Sequence, residues 1–222
     1  MVPDIGHVLE RYATLRNEAD AAFAGVRSRH PDCVRCHEGC SDCCHALFDL
    51  SLVEAIALNR AFADAFGHGP ERSDVLTRAA ETDRQLTRIK REMFRAERDG
   101  EPPEAIMERA ARIKVRCPLL DGNDRCLLYA DRPVTCRVYG VPTAIAGRGH
   151  VCGLSAFTKG TPYPTVHMDK LNARLEELSR DIARTVESRF TELAEVYVPV
   201  SMALLTTYDE AYLGIGPAGR TD

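Results

Sequence analysis

The chain has 222 residues, of which 45% are hydrophobic and 28% charged, and its net charge is −4. This composition predicts a single domain over residues 1–222 with a sizeable core, and the weakly acidic balance disfavours nucleic acid, since phosphate binding needs a basic face. The sequence has no basic-then-apolar leader and no apolar run near the roughly 20 residues that span a membrane. We therefore expect a cytoplasmic protein that binds neither nucleic acid nor membrane.

The first predicted element is a long helix within residues 1–30. Hydrophobic residues recur there every three or four positions, as they do on one face of a helix. The helix is expected to end at His30, because the residue before a proline leaves the helical region. Its predicted buried face comprises Ile5, Val8, Leu9, Tyr12, Leu15, Ala19, Ala22, Phe23 and Val26.

The first cysteine loop follows, with five thiols in twelve residues: Cys33, Cys36, Cys40, Cys43 and Cys44. Cys36, Cys40 and Cys43 have the C-x3-C-x2-C spacing of radical S-adenosylmethionine enzymes. In those enzymes the triplet follows the first strand of a partial barrel, whereas a helical pattern precedes and follows it here. The extra thiols would also crowd the iron that such an enzyme leaves free, so we disfavour this interpretation.

A capping-box pattern opens the next predicted helix. Ser51 and Glu54 stand three residues apart just before an apolar run, so each can satisfy a free backbone N–H at the helix start. The helix is expected over about residues 52–66, and the sequence Gly67-His68-Gly69-Pro70 ends it.

Two further helices are predicted before the next cysteine, over about residues 71–98 and 104–115. The first of them has an outer face dense in arginine and acidic residues, which we interpret as a solvated surface. Its predicted buried face comprises Val75, Ala79, Leu86, Ile89 and Met93.

The second cysteine block spans residues 117–140 and contains Cys117, Cys126 and Cys136. Turn-forming residues at 121–124 separate two short apolar runs, which predicts a tight hairpin-like loop. Residues 140–165 are rich in Gly, Pro and Thr and are expected to be irregular. Cys152 lies within them.

The remaining elements are predicted helices within residues 167–213. One begins at Asp169, and a short terminal helix is expected over residues 201–213. The buried stripe of the first comprises Leu171, Leu175, Leu178, Ile182 and Val186. The predicted fold class is thus mainly α, a helical scaffold whose two cysteine-rich loops converge on a metal site.

The nine cysteines favour metal binding over disulfides. Their number is odd, the adjacent Cys43 and Cys44 are poorly placed to pair with each other, and a reducing compartment keeps thiols free. Thiolates select zinc, copper(I) or iron–sulfur clusters, and the spacing does not separate an iron–sulfur cluster such as 4Fe-4S from zinc. The candidate ligands are Cys33, Cys36, Cys40, Cys43, Cys44, Cys117, Cys126, Cys136 and Cys152.

Other polar residues near the cysteines are candidates for supporting roles. A site of four thiolates carries excess negative charge, so Arg132 and Arg137 are the arginines most expected to neutralise it or hydrogen-bond around it. Histidine can replace a thiolate, but nine cysteines make such a role unnecessary, and Tyr129 and Tyr139 are expected to pack rather than react. The three nearby histidines are His37, His45 and His150.

Two separate blocks agree in order and spacing with a known family. The first is C-x2-C-x3-C-x2-C-C from Cys33, followed by the Ser-x-x-Glu helix start that ends at Glu54. The second is C-P-L…C-x2-Y-x2-R-P-x2-C-R, from Cys117 to Arg137. Together they resemble the YkgJ-type cysteine-cluster family, described as a zinc- or iron-chelating domain. The likeness covers about residues 33–152 and implies a bacterial metal-chelating protein.

Two classes of function stay open at this point. One is a metal-binding protein that holds an iron–sulfur cluster or zinc for electron transfer, metal handling or structure. The alternative is a cluster-dependent protein-modifying enzyme, since flagellin lysine N-methylases are distantly similar to the same family. The chain has no glycine-rich strand-to-helix turn for a methyl donor, so whether it is an enzyme stays open.

Overall fold

A computed structural model describes residues 2–37 and 39–216, and the chain they form is mainly helical, as the sequence predicts. The helices are α1 (Gly6–Arg29), α2 (Leu52–Ala65), α3 (Pro70–Arg98), α4 (Pro103–Arg112), α5 (Val134–Val138), α6 (Met168–Thr185) and α7 (Val200–Leu205). The strands are β1 (Leu50–Ser51), β2 (Thr143–Ile145), β3 (Arg148–His150), β4 (Val166–His167) and β5 (Tyr197–Val198).

The long N-terminal helix is confirmed, and α1 packs on α5 and α6. Most of its predicted face is buried, but Ala22 is exposed. Two ion pairs, Arg11 with Asp181 and Arg174 with Glu18, join its outer side to α6. The buried hydrophobic side chains between α1 and α6 belong to one hydrophobic cluster, which we call the first cluster.

Helix α2 lies between two hydrophobic clusters. Val53 and Ile56 belong to the first cluster, while Leu58 and Phe62 belong to the second cluster, which they share with α3 and α7. Complete burial of such side chains contributes roughly 1.5–3 kcal/mol each. The predicted capping box is present at Ser51, so this central helix begins where the sequence indicates.

Helix α3 has the predicted length, but only two of the five residues of its predicted apolar stripe are buried. Val75 and Ala79 pack in the second cluster, whereas Leu86, Ile89 and Met93 are only partly covered. Because α7 has only six residues, it covers only part of a 29-residue partner.

Two predicted helices end earlier than expected. Helix α4 stops at Arg112 rather than Val115, since the chain turns extended there and bonds to the first cysteine loop. Helix α7 stops at Leu205; residues 206–209 are irregular and residues 210–214 form turns instead of the predicted helix. The predicted loop at 121–124 is confirmed by an antiparallel bridge between Leu120 and Cys126.

Small sheets occupy regions where the sequence shows no strand pattern. Strand β1 pairs antiparallel with β5, and β2 pairs antiparallel with β3 and parallel with β4. The prediction that residues 140–165 are irregular is therefore wrong in part. The β2–β3 turn has positive φ at Ala146 (49°) and Gly147 (74°), the geometry of a tight two-residue hairpin turn.

Within the described ranges, none of the helices combines the length and the apolarity needed to cross a bilayer.

Candidate metal centre

The first cysteine loop is attached directly to the chain that enters the second block. The amide of Cys117 donates to the carbonyl of Cys44 at 2.7 Å, and the amide of Val115 donates to the carbonyl of His45 at 3.0 Å. These bonds explain why α4 ends early. They bring thiols from both segments side by side, although Cys44 and Cys117 are 73 positions apart in the sequence.

Five thiols lie where these two segments meet, close enough for the charge of one to shift the pKa of others. We call them the inner thiols: Cys43, Cys44, Cys117, Cys126 and Cys136. Burial raises the pKa of Cys117 to about 12, and the charges of Cys126 and Cys43 add to the rise. Burial and the other inner thiols also raise the pKa of Cys136 well above its ordinary value. Several of these thiols can ionise together only beside a cation, which is the electrostatic environment that a metal supplies.

Cys43 is the inner thiol that ionises first. A hydrogen bond with the Cys44 thiol lowers the pKa of Cys43 despite burial, and Arg132 lowers it further. The same hydrogen bond raises the pKa of Cys44, which stays protonated as the donor. The pair therefore offers one thiolate before any other inner thiol loses its proton.

Three further thiols, which we call the outer thiols, form a second neighbourhood: Cys36 and Cys40, which are half-buried, and Cys152, which is buried. Burial raises the pKa of Cys36 to about 11, and Cys40 and Cys152 raise it further. Cys36 also approaches the second block closely, since a Cβ added at Gly140 would lie 2.1 Å from its Sγ. Only glycine leaves room for this sulfur.

Asp42 connects the outer thiols to the rest of the site. Its carboxylate accepts hydrogen bonds from Lys114 (2.9 Å), Tyr139 (3.1 Å) and the Cys152 thiol (3.5 Å). Burial raises the pKa of Asp42, but these donors outweigh it and leave the pKa below its ordinary value. The side chain therefore stays charged and ties three chain segments together.

The remaining predicted ligand, Cys33, packs against the first cluster. Its carbonyl accepts the amide of Ala156 at 2.9 Å, which ties the start of the loop to the segment after Cys152. Across residues 2–37 and 39–216, no three Cys, His, Asp or Glu side chains are drawn together closely enough to hold one metal ion. Within the described residues the thiols are thus gathered into neighbourhoods rather than into a closed coordination site.

The two predicted arginines occupy different positions. The Arg132 guanidinium lies 3.6 Å from the centroid of the Tyr129 ring, and its charge acts against the raised pKa of Cys136 and Cys126. Arg137 is buried, donates from Nε to the carbonyl of Arg132 at 2.7 Å and pairs with Asp20. Arg132 thus faces the thiols with its charge, while Arg137 fixes the backbone that carries it.

Glu54 supports the site in a way that its capping-box spacing does not reveal. One carboxylate oxygen accepts Ser51 donors at 2.9 and 3.2 Å, and the other accepts the amide of Val134 at 3.1 Å. Val134 is the first residue of α5, which carries Cys136. A single buried carboxylate therefore anchors the starts of two helices.

The nearby histidines and tyrosines mostly have local roles. His45 Nδ1 lies 3.0 Å from the carbonyl of Ser41, and His150 is exposed in β3. His37 is exposed, and its carbonyl accepts the amide of Cys40 at 3.0 Å. Tyr139 does more than pack, since it donates to Asp42. Sequence reasoning missed Asp42, Lys114 and Gly140, although all three lie within four residues of a cysteine.

A family model described as "putative zinc- or iron-chelating domain" matches residues 35–153. The matched segment contains all the inner and outer thiols and leaves out Cys33. Comparisons with curated proteins and with solved structures give no match.

Proposed function

The chain belongs to this family of zinc- or iron-chelating domains, and we propose that the inner thiols are its metal ligands. The observation that carries the proposal is the direct hydrogen bond between Cys44 and Cys117, which joins the two segments at the place where five thiols perturb one another. Four thiolates complete a tetrahedral zinc site or hold one iron–sulfur cluster, so five candidates are sufficient.

The chemistry of this donor set fits a soft metal. Thiols that are packed together repel one another once they are ionised. A bound cation offsets this repulsion and favours the release of the thiol protons. Cys43 supplies the first thiolate, because Cys44 and Arg132 already lower its pKa. We expect the remaining inner thiols to lose protons as the first loop closes over the metal.

An iron–sulfur cluster is the occupant that we favour, with electron transfer or metal handling as its use. Such clusters need four thiolates and tolerate the irregular gaps of nine and ten residues in the second block. A full set of thiolates also leaves the metal no open position, which suits a redox or storage role better than Lewis-acid catalysis. Zinc in the same thiols is the competing occupant.

The decisive experiment is purification of the full chain without oxygen, followed by measurement of iron, zinc and sulfide and by a visible spectrum. A cluster gives broad absorbance near 400 nm and about one sulfide per iron. Colourless protein that contains zinc would rule out the cluster and keep the metal site. Protein that contains neither metal after growth with both would refute the site itself.

Variants of single cysteines test which thiols bind. Cys136→Ser removes an inner thiol and is expected to lose most of the bound metal and to lower the melting temperature, since metal binding and folding are coupled. Cys33→Ser is the matched control, because Cys33 packs on the first cluster and lies outside the matched segment. Equal metal content in the two variants would contradict the assignment.

Cys36→Ser asks whether the outer thiols hold metal as well. If they form a second site, the variant loses a defined share of the metal and keeps the rest. If the inner thiols hold all of it, metal content is unchanged. Metal content and melting temperature together separate a lost ligand from a disturbed fold.

A further inference from the structure

The outward side of α3 carries a straight row of arginines, which we call the arginine row: Arg84, Arg88, Arg91, Arg95 and Arg98. The steps between them alternate between four and three residues. At about 100° per residue these positions fall within an arc of roughly 80° and span about 21 Å of helix. All five side chains are exposed, so their charges point in one direction along one side of the molecule.

The arginine row forms almost no ion pairs with the part of the chain that the structure describes. Arg84, Arg88, Arg91 and Arg95 form no ion pair with residues 2–37 or 39–216, and Arg98 only approaches its neighbour Asp99 at 3.9 Å. Elsewhere on the surface, exposed arginines do pair, as Arg11 does with Asp181. The five guanidinium groups thus keep most of their donors open to an external anion, although Asp83 and Glu92 lie beside them on the same helix.

The surface along the row is concave. Arg84, Arg88, Arg91 and Arg95 line a groove of about 460 Å³ together with Thr87 and two acidic residues, Asp83 and Glu92. A groove with polar walls that runs along a helix fits an elongated partner better than a compact ion.

We propose that the arginine row binds an acidic helix of a partner protein. Steps of four and three residues average 3.5, the repeat that keeps two helices in contact along a straight seam. Glutamates with the same spacing on the partner would each face one guanidinium, which binds carboxylates through paired hydrogen bonds. Charge complementarity and spacing together specify the partner's chemistry.

Two other partners fit the surface less well. In a two-fold dimer formed through this face, one arginine row would lie against the other, and the like charges would repel. A nucleic acid would meet the repulsion of a chain whose net charge is −4, outside the short row itself. An acidic helix presents its charge only along the seam, so it escapes most of that repulsion.

The arginine row lies on the side of α3 that faces away from the inner thiols. The opposite side of α3 presents Ile89 and Met93 to a cavity of about 200 Å³ that Cys43 and Cys117 also line. A partner on the arginine row therefore lies about one helix diameter, roughly 10 Å, from the inner thiols. The proposal concerns α3 alone and does not depend on which metal the thiols hold.

Two synthetic peptides test the proposal on the full chain. The first is an alanine-based helix of about 20 residues with five glutamates at alternating steps of four and three. The second has the same composition with the glutamates distributed around the helix. By fluorescence anisotropy at low salt, the aligned peptide is expected to bind about tenfold more tightly, as five weak exposed pairs predict. Equal binding of the two peptides would overturn the proposal.

Charge-matched variants locate the binding surface. The triple variant Arg88→Gln, Arg91→Gln, Arg95→Gln is expected to weaken binding of the aligned peptide by about tenfold. The control removes three exposed arginines elsewhere, Arg60→Gln, Arg148→Gln and Arg180→Gln, and is expected to bind as the parent does. If both variants lose affinity equally, net charge rather than the row is responsible and the proposal fails.

The competing partners are measured in the same assay. A single-stranded RNA of about 20 nucleotides carries a comparable length of charge, and vesicles with anionic headgroups offer a charged plane. Weaker binding of both than of the aligned peptide supports the proposal. Tighter binding of either one, lost in the triple variant, would reassign the row to that partner and overturn it.

Discussion

The two cysteine segments differ in what holds them in place. The second block is fixed by buried charged groups, with Glu54 at the start of α5 and Arg137 beneath Arg132. The first loop is irregular apart from one short 3-10 helix, Asp42–His45. We therefore expect the second block to be the rigid part of the proposed site, and the first loop to be the part that adjusts when a metal binds.

Replacement of Glu54 by alanine should give the largest effect, since it removes the anchor of the rigid part. It leaves the amides of Ser51 and Val134 without their buried acceptor, and we expect the free energy of unfolding to fall by about 2–4 kcal/mol. Urea denaturation of the two proteins measures the difference.

Glu71→Ala is the matched control, because Glu71 is also in the first turn of a helix but is exposed. We expect its unfolding free energy to change by about 0.5 kcal/mol or less. Similar losses in the two variants would show that the buried carboxylate is not what fixes the second block.

Gly140→Ala tests the place where the two segments touch. The added methyl would lie 2.1 Å from the Cys36 sulfur, so the first loop must move away. We expect a loss of about 1–3 kcal/mol, typical of overpacking, together with reduced metal content. Gly149→Ala adds the same methyl where nothing lies within 4 Å, and it should leave both quantities unchanged.

Asp42 should make the first loop sensitive to acid. The pKa of Asp42 is lowered in the folded chain, so its contribution to stability is complete above its unfolded pKa near 3.8 and is lost as the pH falls through the folded value. Asp42→Asn is expected to cost about 1 kcal/mol at neutral pH through weaker hydrogen bonds. Thermal melts from neutral to acid pH should show a smaller acid loss in the variant than in the parent. Parallel curves would contradict the role of the carboxylate.

Arg132→Gln should give the smallest effect of these variants, because it changes only the electrostatic environment of the inner thiols. Without its charge the pKa of Cys43 rises, and zinc affinity near neutral pH is expected to fall by about three- to tenfold. The difference should narrow as the pH rises, because the thiols then ionise without help. Competition with a coloured chelator measures the zinc affinity and its dependence on pH. Arg35→Gln is the control, because Arg35 is an exposed arginine of the first loop.

The sequence predicts the helices well because they are long and periodic. Helices α1, α2, α3 and α6 follow their hydrophobic repeats, and the capping box at Ser51 is present. The small sheets escaped prediction, since strands of two or three residues are too short for an alternating pattern. The ends of α4 and α7 depend on contacts with distant segments, which local preferences do not contain.

The candidate site, like the fold, was predictable from the sequence only in part. Cysteine spacing identifies the thiols and the family, but it does not show which of them lie together. Asp42 and Glu54 look like ordinary loop and capping residues, and their importance comes from partners 97 and 80 positions away, Tyr139 and Val134. Contacts of that range are decided by packing rather than by the local sequence.

The shared carboxylate of Glu54 has a consequence for how the molecule opens. Because one side chain holds the first turns of both α2 and α5, fluctuations that expose Val134 must also release the start of α2. Hydrogen exchange at these two places should therefore slow down together when a metal is bound at Cys136, although α2 contains no cysteine. The central helix would then report on a metal that it does not touch.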